Sequence, residues 1–236
     1  MFVTQQLDMK VAILANDAQK EEWLFKPADN NVQLIWLGTP DELLNVKADA
    51  YFNLYNSSLR AERFSQLNQP VFINSVIHPL STVQTLPNRI IHPTLQTEVS
   101  PGKVGSVLFR VNAWPTFLKR EVTEIAACNK ADEKKLQFVF SGLGWKYRLV
   151  PDIPGMITAR VIAMVINEAY FTLEAGVSSK KEIDTAMKLG TNYPFGPFEW
   201  SEKIGLKNIF ELLKELSKSD DRYDPCQLLI QEAEQE

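Results

Sequence analysis

The stretch Asp152-Ile153-Pro154-Gly155-Met156-Ile157-Thr158-Ala159-Arg160-Val161-Ile162-Ala163-Met164-Val165-Ile166-Asn167-Glu168-Ala169-Tyr170-Phe171-Thr172-Leu173-Glu174-Ala175-Gly176 divides the chain into two kinds of sequence. Pro154 and Gly155 break the backbone. After them Ile157, Val161, Met164, Val165, Ala169 and Leu173 recur at helical spacing, and Gly176 stands where a helix would stop. Downstream, Ser179 followed by Glu182 is a capping box. The helix it opens reads to Leu189, with Gly190 as its end, and residues 206–216 form another amphipathic stretch. The C-terminal part is therefore expected to be all helical, with a boundary near Val150 that gives domains 1–150 and 151–236.

Upstream of that boundary, short apolar runs alternate with polar, helix-like segments. Residues 11–14, 32–37, 50–54, 71–73 and 106–111 read as strands, the second rich in β-branched and aromatic residues. Residues 19–24, 40–44 and 59–67 read as helices between them. In the second, Thr39 is placed to cap, Pro40 suits the first helical position, and Asp41 and Glu42 suit the positive end of the dipole. Residues 92–106 carry Pro and Gly without period and read as a loop. Strands alternating with helices predict an α/β fold, a Rossmann-like parallel sheet followed by an all-helical C-terminal domain.

Composition agrees with a packed globular chain: 236 residues, 45% hydrophobic and 23% charged. The net charge of −4 comes without a basic stripe, which argues against nucleic acid as partner. The acidic end, residues 231–236, reads as a solvated tail. Cys128 and Cys226 have no paired spacing, so neither a disulfide framework nor a zinc site is expected, and no metal. Arg160, Asn167 and Glu168 interrupt the longest apolar helix, so no membrane span is expected, and residues 1–10 lack the apolar core of a signal peptide. These readings place the chain in the cytoplasm.

The words Asp152-Ile153-Pro154-Gly155-Met156-Ile157 with Arg160, then Asn167-Glu168-Ala169, then Glu182-Ile183-Asp184-Thr185-Ala186-Met187-Lys188-Leu189-Gly190, Tyr193-Pro194-Phe195-Gly196-Pro197-Phe198 and Gly205-Leu206 stand in order. Over residues 151–217 they resemble the C-terminal domain of the NAD-dependent 3-hydroxyacyl-CoA dehydrogenase family. The resemblance implies a dinucleotide-binding domain upstream, NAD as cofactor, a homodimer formed through the helices, acyl-CoA as ligand and fatty-acid metabolism as the setting.

The upstream half departs from that family's pattern. The strand over residues 11–14 leads into Ala15-Asn16-Asp17-Ala18-Gln19-Lys20, with none of the glycines that permit the tight turn and the close approach of pyrophosphate. Asp17 adds negative charge where phosphates would sit. The second strand ends Ile35-Trp36-Leu37 without the acid that would hold ribose hydroxyls.

Family catalysis rests on a His as general acid–base and a Glu that orients it, with Asn and Ser supporting the substrate oxygen. Carried onto this sequence, the His position falls on Phe109, the Glu on Glu121, one Asn on Asn112 and the second supporting Asn on Ala159. The Ser motif is kept in part as Asn74-Ser75. Phenylalanine transfers no proton. The two histidines, His78 and His92, each precede proline, and His78 is the candidate for a migrated base. Three readings follow: a dehydrogenase-like protein with lost or much altered catalysis, an active NAD-dependent oxidoreductase with a rearranged site, and a helical interaction module.

Overall fold

The structure is a computed structural model that describes residues 9–26, 31–55, 67, 69–80, 107–127 and 132–236. Residues 59–66 of one expected helix, the expected loop up to residue 106 with His92, and Cys128 lie outside the described residues. The chain forms two compact units. One takes the described residues up to Ala113 together with Phe117–Asp152, the other Trp114–Thr116 together with Ile153–Glu236.

The first unit is built on a seven-stranded sheet: β1 (Met9–Leu14), β2 (Val32–Leu37), β3 (Ala50–Asn53), β4 (Val71–Ile73), β5 (Leu108–Val111), β6 (Val122–Ala127) and β7 (Lys146–Val150), in the order β2-β1-β3-β4-β5-β6-β7. Pairing is parallel except between β5 and β6. The central strands are short and apolar because both faces are buried. Val11 and Ile13 of β1 join Phe52, Phe72 and Phe109 in one core, while Ala12 and Leu14 join Tyr51, Val71 and Ile73 in the other.

Helices α1 (Asp17–Leu24) and α3 (Glu133–Leu143) contribute Trp23, Leu136, Val139, Phe140 and Leu143 to the first core. Helix α2 (Glu42–Asn45) contributes Leu43 to the second. This helix is shorter than expected. Its cap position is Asp41, and Thr39 does not cap the backbone but donates its hydroxyl to Glu42 Oε1 at 2.9 Å. Strand β1 lies between β2 and β3, so the sheet reverses its winding at the carboxyl ends of β1 and β3.

The second unit is helical: α4 (Thr158–Glu174), α5 (Lys180–Thr191), α6 (Pro197–Ile204), α7 (Leu206–Ser217) and α8 (Gln227–Ala233), with a short 3-10 turn at Asp221–Tyr223. Ile162, Ile166, Tyr170, Phe198, Trp200, Ile209, Leu213 and Leu229 are buried in it. The capping box of Ser179 and Glu182 is present, and Gly176 takes the left-handed conformation after α4. Gly190 does not end α5. The helix runs to Thr191, and Asn192 supplies the left-handed residue, φ 56°. The acidic end is not a solvated tail. It forms α8 as far as Ala233, Glu232 is bonded to Tyr170 and Lys180, and Glu236 accepts from the backbone of Leu206 and Lys207 at the start of α7.

Candidate functional site

At the carboxyl end of β1 the chain turns into α1 through a closed pair of side-chain bonds. Asn16 Oδ1 accepts from the backbone N–H of Gln19 at 2.8 Å, and Gln19 Oε1 accepts from the backbone N–H of Asn16 at 3.1 Å. Two donors of the helix start are thus satisfied by the chain itself. Gln19 is buried, and its Nε2 donates to the carbonyls of Leu54 (2.5 Å) and Ala113 (3.4 Å). Asn74 Nδ2 donates to the same Leu54 carbonyl at 2.9 Å, and its Oδ1 accepts from Ala113 N. Two carboxamides therefore stitch together the segments that follow β1, β3, β4 and β5.

That turn does not fit a dinucleotide pyrophosphate. Glycine turns offer bare backbone N–H groups to phosphate. Here side chains take two of them, Asp17 places a carboxylate in the first turn, and the Gln19 side chain bridges the switch point. One buried donor there, Asn53 Nδ2, has no partner, but a single amide is not a phosphate cradle. At the tip of β2 the acid is Glu42, and it accepts from Gly38 N and the Thr39 hydroxyl. The backbone bond from Gly38, then the hydroxyl of Thr39, hold its carboxyl below the usual range.

The turn after β4 is organised by a residue that sequence reasoning passed over. Arg110, fully buried in β5, donates to the carbonyls of Ser75 (2.5 Å) and Val76 (2.8 Å) and to Asp152 Oδ1 (2.6 Å). Asp152 Oδ1 also accepts from Leu80 N. A buried guanidinium is tolerated because its charge is paired and its donors are used. The signal was available: one cation inside the apolar run Val107-Leu108-Phe109-Arg110-Val111. Within this turn the Ser75 hydroxyl donates to the His78 carbonyl at 2.7 Å, and the His78 side chain is exposed.

Phe109 is fully buried. Its ring stacks on Phe72 (centroids 4.9 Å), which stacks on Phe52 (4.3 Å). Asn112 is buried just beyond the end of β5. Glu121 is exposed and pairs with the exposed Lys146 at 2.5 Å. That bond, then the lysine's charge, lowers its pKa from the ordinary carboxylate value. Ala159 is buried in the first turn of α4. Among the described residues no group of three or more His, Cys, Asp or Glu side chains could hold a metal ion.

In the helical unit Asp184 of α5 caps α6, accepting from Phe198 N at 2.8 Å and Glu199 N at 3.3 Å. Asn167 of α4 reads the backbone before α8, donating to Asp224 O and accepting from Cys226 N. The words Asn167, Asp184 and Tyr193–Phe198 are thus cap and turn chemistry that fixes how these helices join.

Residues 155–236 match the model of the 3-hydroxyacyl-CoA dehydrogenase C-terminal domain. Those residues form a 3-hydroxyacyl-CoA dehydrogenase C-terminal domain. Among its relatives, the 3-hydroxyadipyl-CoA dehydrogenase of Escherichia coli K12 is 36% identical over 156 residues, 64% of this chain and 29% of that protein. The 3-hydroxybutyryl-CoA dehydrogenase of Bradyrhizobium diazoefficiens is 37% identical over 112 residues, 47% of this chain and 38% of that protein. The chain thus spans well under half the length of these curated relatives.

Similarity of fold runs further. The (S)-3-hydroxybutyryl-CoA dehydrogenase of Ralstonia eutropha matches with a TM-score of 0.64 at 17% identity, covering 94% of this chain and 92% of that one. FadB2 of M. tuberculosis matches with a TM-score of 0.68 at 13% identity, covering 97% and 94%. The architecture is therefore the expected one, a Rossmann-type, mostly parallel sheet with a helical C-terminal part. Among the described residues no helix is long and apolar enough to cross a membrane.

Proposed function

We propose that the chain is a 3-hydroxyacyl-CoA dehydrogenase-like protein of fatty-acid metabolism that has given up hydride transfer, binds acyl-CoA, and works in the cytoplasm as a homodimer built through its helical unit. The observation that carries the loss of catalysis is Phe109. At the position where family resemblance puts the proton-transferring His, a phenyl ring is closed into a stack with Phe72 and Phe52. The side-chain-capped turn at Asn16 and Gln19 supports the same reading, and so does Glu121, which is occupied by Lys146. For the homodimer, support comes from α4 and its N-cap residue, where Ile157, Val161 and Phe171 are exposed apolar residues at helical spacing. The buried free thiol of Cys226 suits a reducing compartment.

The test is titration with NADH and NADPH, read by quenching of the Trp23, Trp36 and Trp145 cluster and by energy transfer to nicotinamide. The expected outcome is no binding up to millimolar concentration and no turnover of acetoacetyl-CoA. Saturable micromolar binding with turnover would overturn the proposal in favour of an active, rearranged oxidoreductase. A monomer by light scattering, binding neither nucleotide nor acyl-CoA, would favour an interaction module instead.

A further inference from the structure

Lys26 follows α1 at a place where a lysine side chain would ordinarily point into water. Instead it is half-buried, and its Nζ sits 4.3 Å from the ring centroid of Trp145 and 2.8 Å from the Thr123 hydroxyl. Trp145 and Thr123 are themselves buried. No carboxylate pairs with Lys26 among the described residues, in contrast to Lys146, Lys180, Lys188 and Lys218, each of which is bonded to a glutamate. Immediately before it stand Leu24 and Phe25, large apolar side chains that are 56% and 72% exposed.

From this arrangement we infer that Lys26 is an acyl-acceptor site, an amine that takes an acyl group from small acyl thioesters. Three features of the geometry serve that chemistry. Thr123 accepts an N–H bond, which orients the nitrogen without neutralising it through a counter-charge. Among the described residues no carboxylate pairs with the group, so only neutral partners, the Thr123 oxygen and the Trp145 face, hold its charged form. Leu24 and Phe25, the two residues before it in the chain, offer exposed apolar surface to an acyl chain. Burial supports the assignment by lowering the Lys26 pKa from 10.5 to about 8. About half of an amine with that pKa is neutral at pH 8, against well under 1% of an ordinary lysine.

The step balances without further reagents. The Lys26 lone pair attacks the thioester carbonyl carbon, an N–C bond forms, and the C–S bond breaks. The thiolate leaves with the electron pair and takes up the proton released from nitrogen. The product is an amide on Lys26 and a free thiol, with no change in oxidation state. Acyl-CoA as the natural donor rests on the function proposed above, but the nucleophilicity of Lys26 does not.

The experiment separates the two. Full-length protein is incubated at pH 8 with acetyl-CoA in one arm and with the acetyl thioester of N-acetylcysteamine, which lacks the nucleotide, in the other. Peptide mass spectrometry then compares the rate at Lys26 with rates at the exposed Lys181 and Lys207. The expected result is labelling of Lys26 about tenfold faster in both arms, abolished in Lys26→Arg, with Lys181 and Lys207 unchanged. A faster rate at Lys26 with the simple thioester alone keeps the acceptor site and removes recognition of CoA. Labelling of Lys26 no faster than Lys181 and Lys207 with the simple thioester overturns the inference.

Discussion

Gly196 and Asp184 share one space: a Cβ built on Gly196 would lie 2.2 Å from Asp184 Oδ1 and 2.4 Å from its Cβ and Cγ. The backbone of Gly196 is ordinary, with φ −75°, so the glycine is needed for room and not for conformation. That room lets the Asp184 carboxylate reach the N-terminus of α6. Gly196→Ala is expected to force α5 and α6 apart and to weaken the cap, at a cost of about 2–4 kcal/mol. Urea unfolding followed by circular dichroism checks this. A midpoint equal to that of the parent would sink the account.

Gln19 makes the corresponding prediction in the sheet unit. Its side chain completes the cap of α1 and donates to the Leu54 carbonyl. Gln19→Ala leaves that buried carbonyl with only its Asn74 bond and exposes the helix start. A loss of about 1–3 kcal/mol is expected. The same variant tests the closed turn. NADH binding should stay absent, because Asp17 and the missing glycines remain, and binding that appeared on this single change would show the turn to be a plug over an intact cradle.

Phe109→His puts the residue type that the family resemblance expects at this position, but places a polar ring in an apolar core cluster, stacked on Phe72. The expected result is destabilisation by about 2–4 kcal/mol, from lost ring packing and a buried donor without an acceptor. Assays with acetoacetyl-CoA and NADH should show no turnover. Activity gained by this one substitution would contradict the proposed loss of catalysis.

The sequence made the strands easiest to read where both sheet faces are buried. The runs at β1, β3 and β4 are apolar, the half-buried edge strand β2 shows by its β-branched and aromatic residues, and the bounds of all four came within two residues of the structure. The edge strand β7 was not foreseen, because Lys146, Arg148 and Leu149 face solvent and its pattern is not apolar. In the candidate site, what residues lack was legible: no glycine turn and no His at Phe109. What they do instead was not. Gln19 looks like a surface side chain in a sequence, Arg110 shows only as a cation inside an apolar run, and the three-dimensional meeting of Leu54, Ser75, Val76, Ala113 and Asp152 shows why an amide and a guanidinium are buried there. The acidic end was misread for the same reason. Glu232 is solvated until Tyr170 and Lys180, 62 and 52 residues away, are folded beside it.

The proposed homodimer can be broken on one helix. Val161 and Phe171 are 51% and 43% exposed on α4, so glutamate at both should leave the helical unit folded. Light scattering should report a dimer for the parent and a monomer for Val161→Glu with Phe171→Glu, with unchanged circular dichroism. A dimer that survives both substitutions places the interface elsewhere.

Acid should loosen the anchor of α8 in a direction that one variant isolates. Burial alone would raise the Glu232 pKa, but the bonds from Lys180 and Tyr170, with the lysine's charge, outweigh it and hold the carboxyl below its ordinary value. A carboxylate depressed in the folded state contributes stability that is fully present above the unfolded value, about 4.3, and is lost as pH falls through the folded one. Asp184 has the opposite sign. Burial raises its pKa above the ordinary value despite the backbone bonds from Phe198 and Glu199, so ionising it costs stability as pH rises from the unfolded value through the folded one. The pH profile of the parent therefore mixes the two, and the difference between the parent and Glu232→Gln separates them. That difference is expected to be up to about 1 kcal/mol at pH 7, since the pair is partly solvated, and to shrink as pH falls below about 4. Urea midpoints of both proteins between pH 7 and 3 give the measurement. A difference that holds constant down to pH 3 would mean that Glu232 fastens α8 through packing and not through its charge.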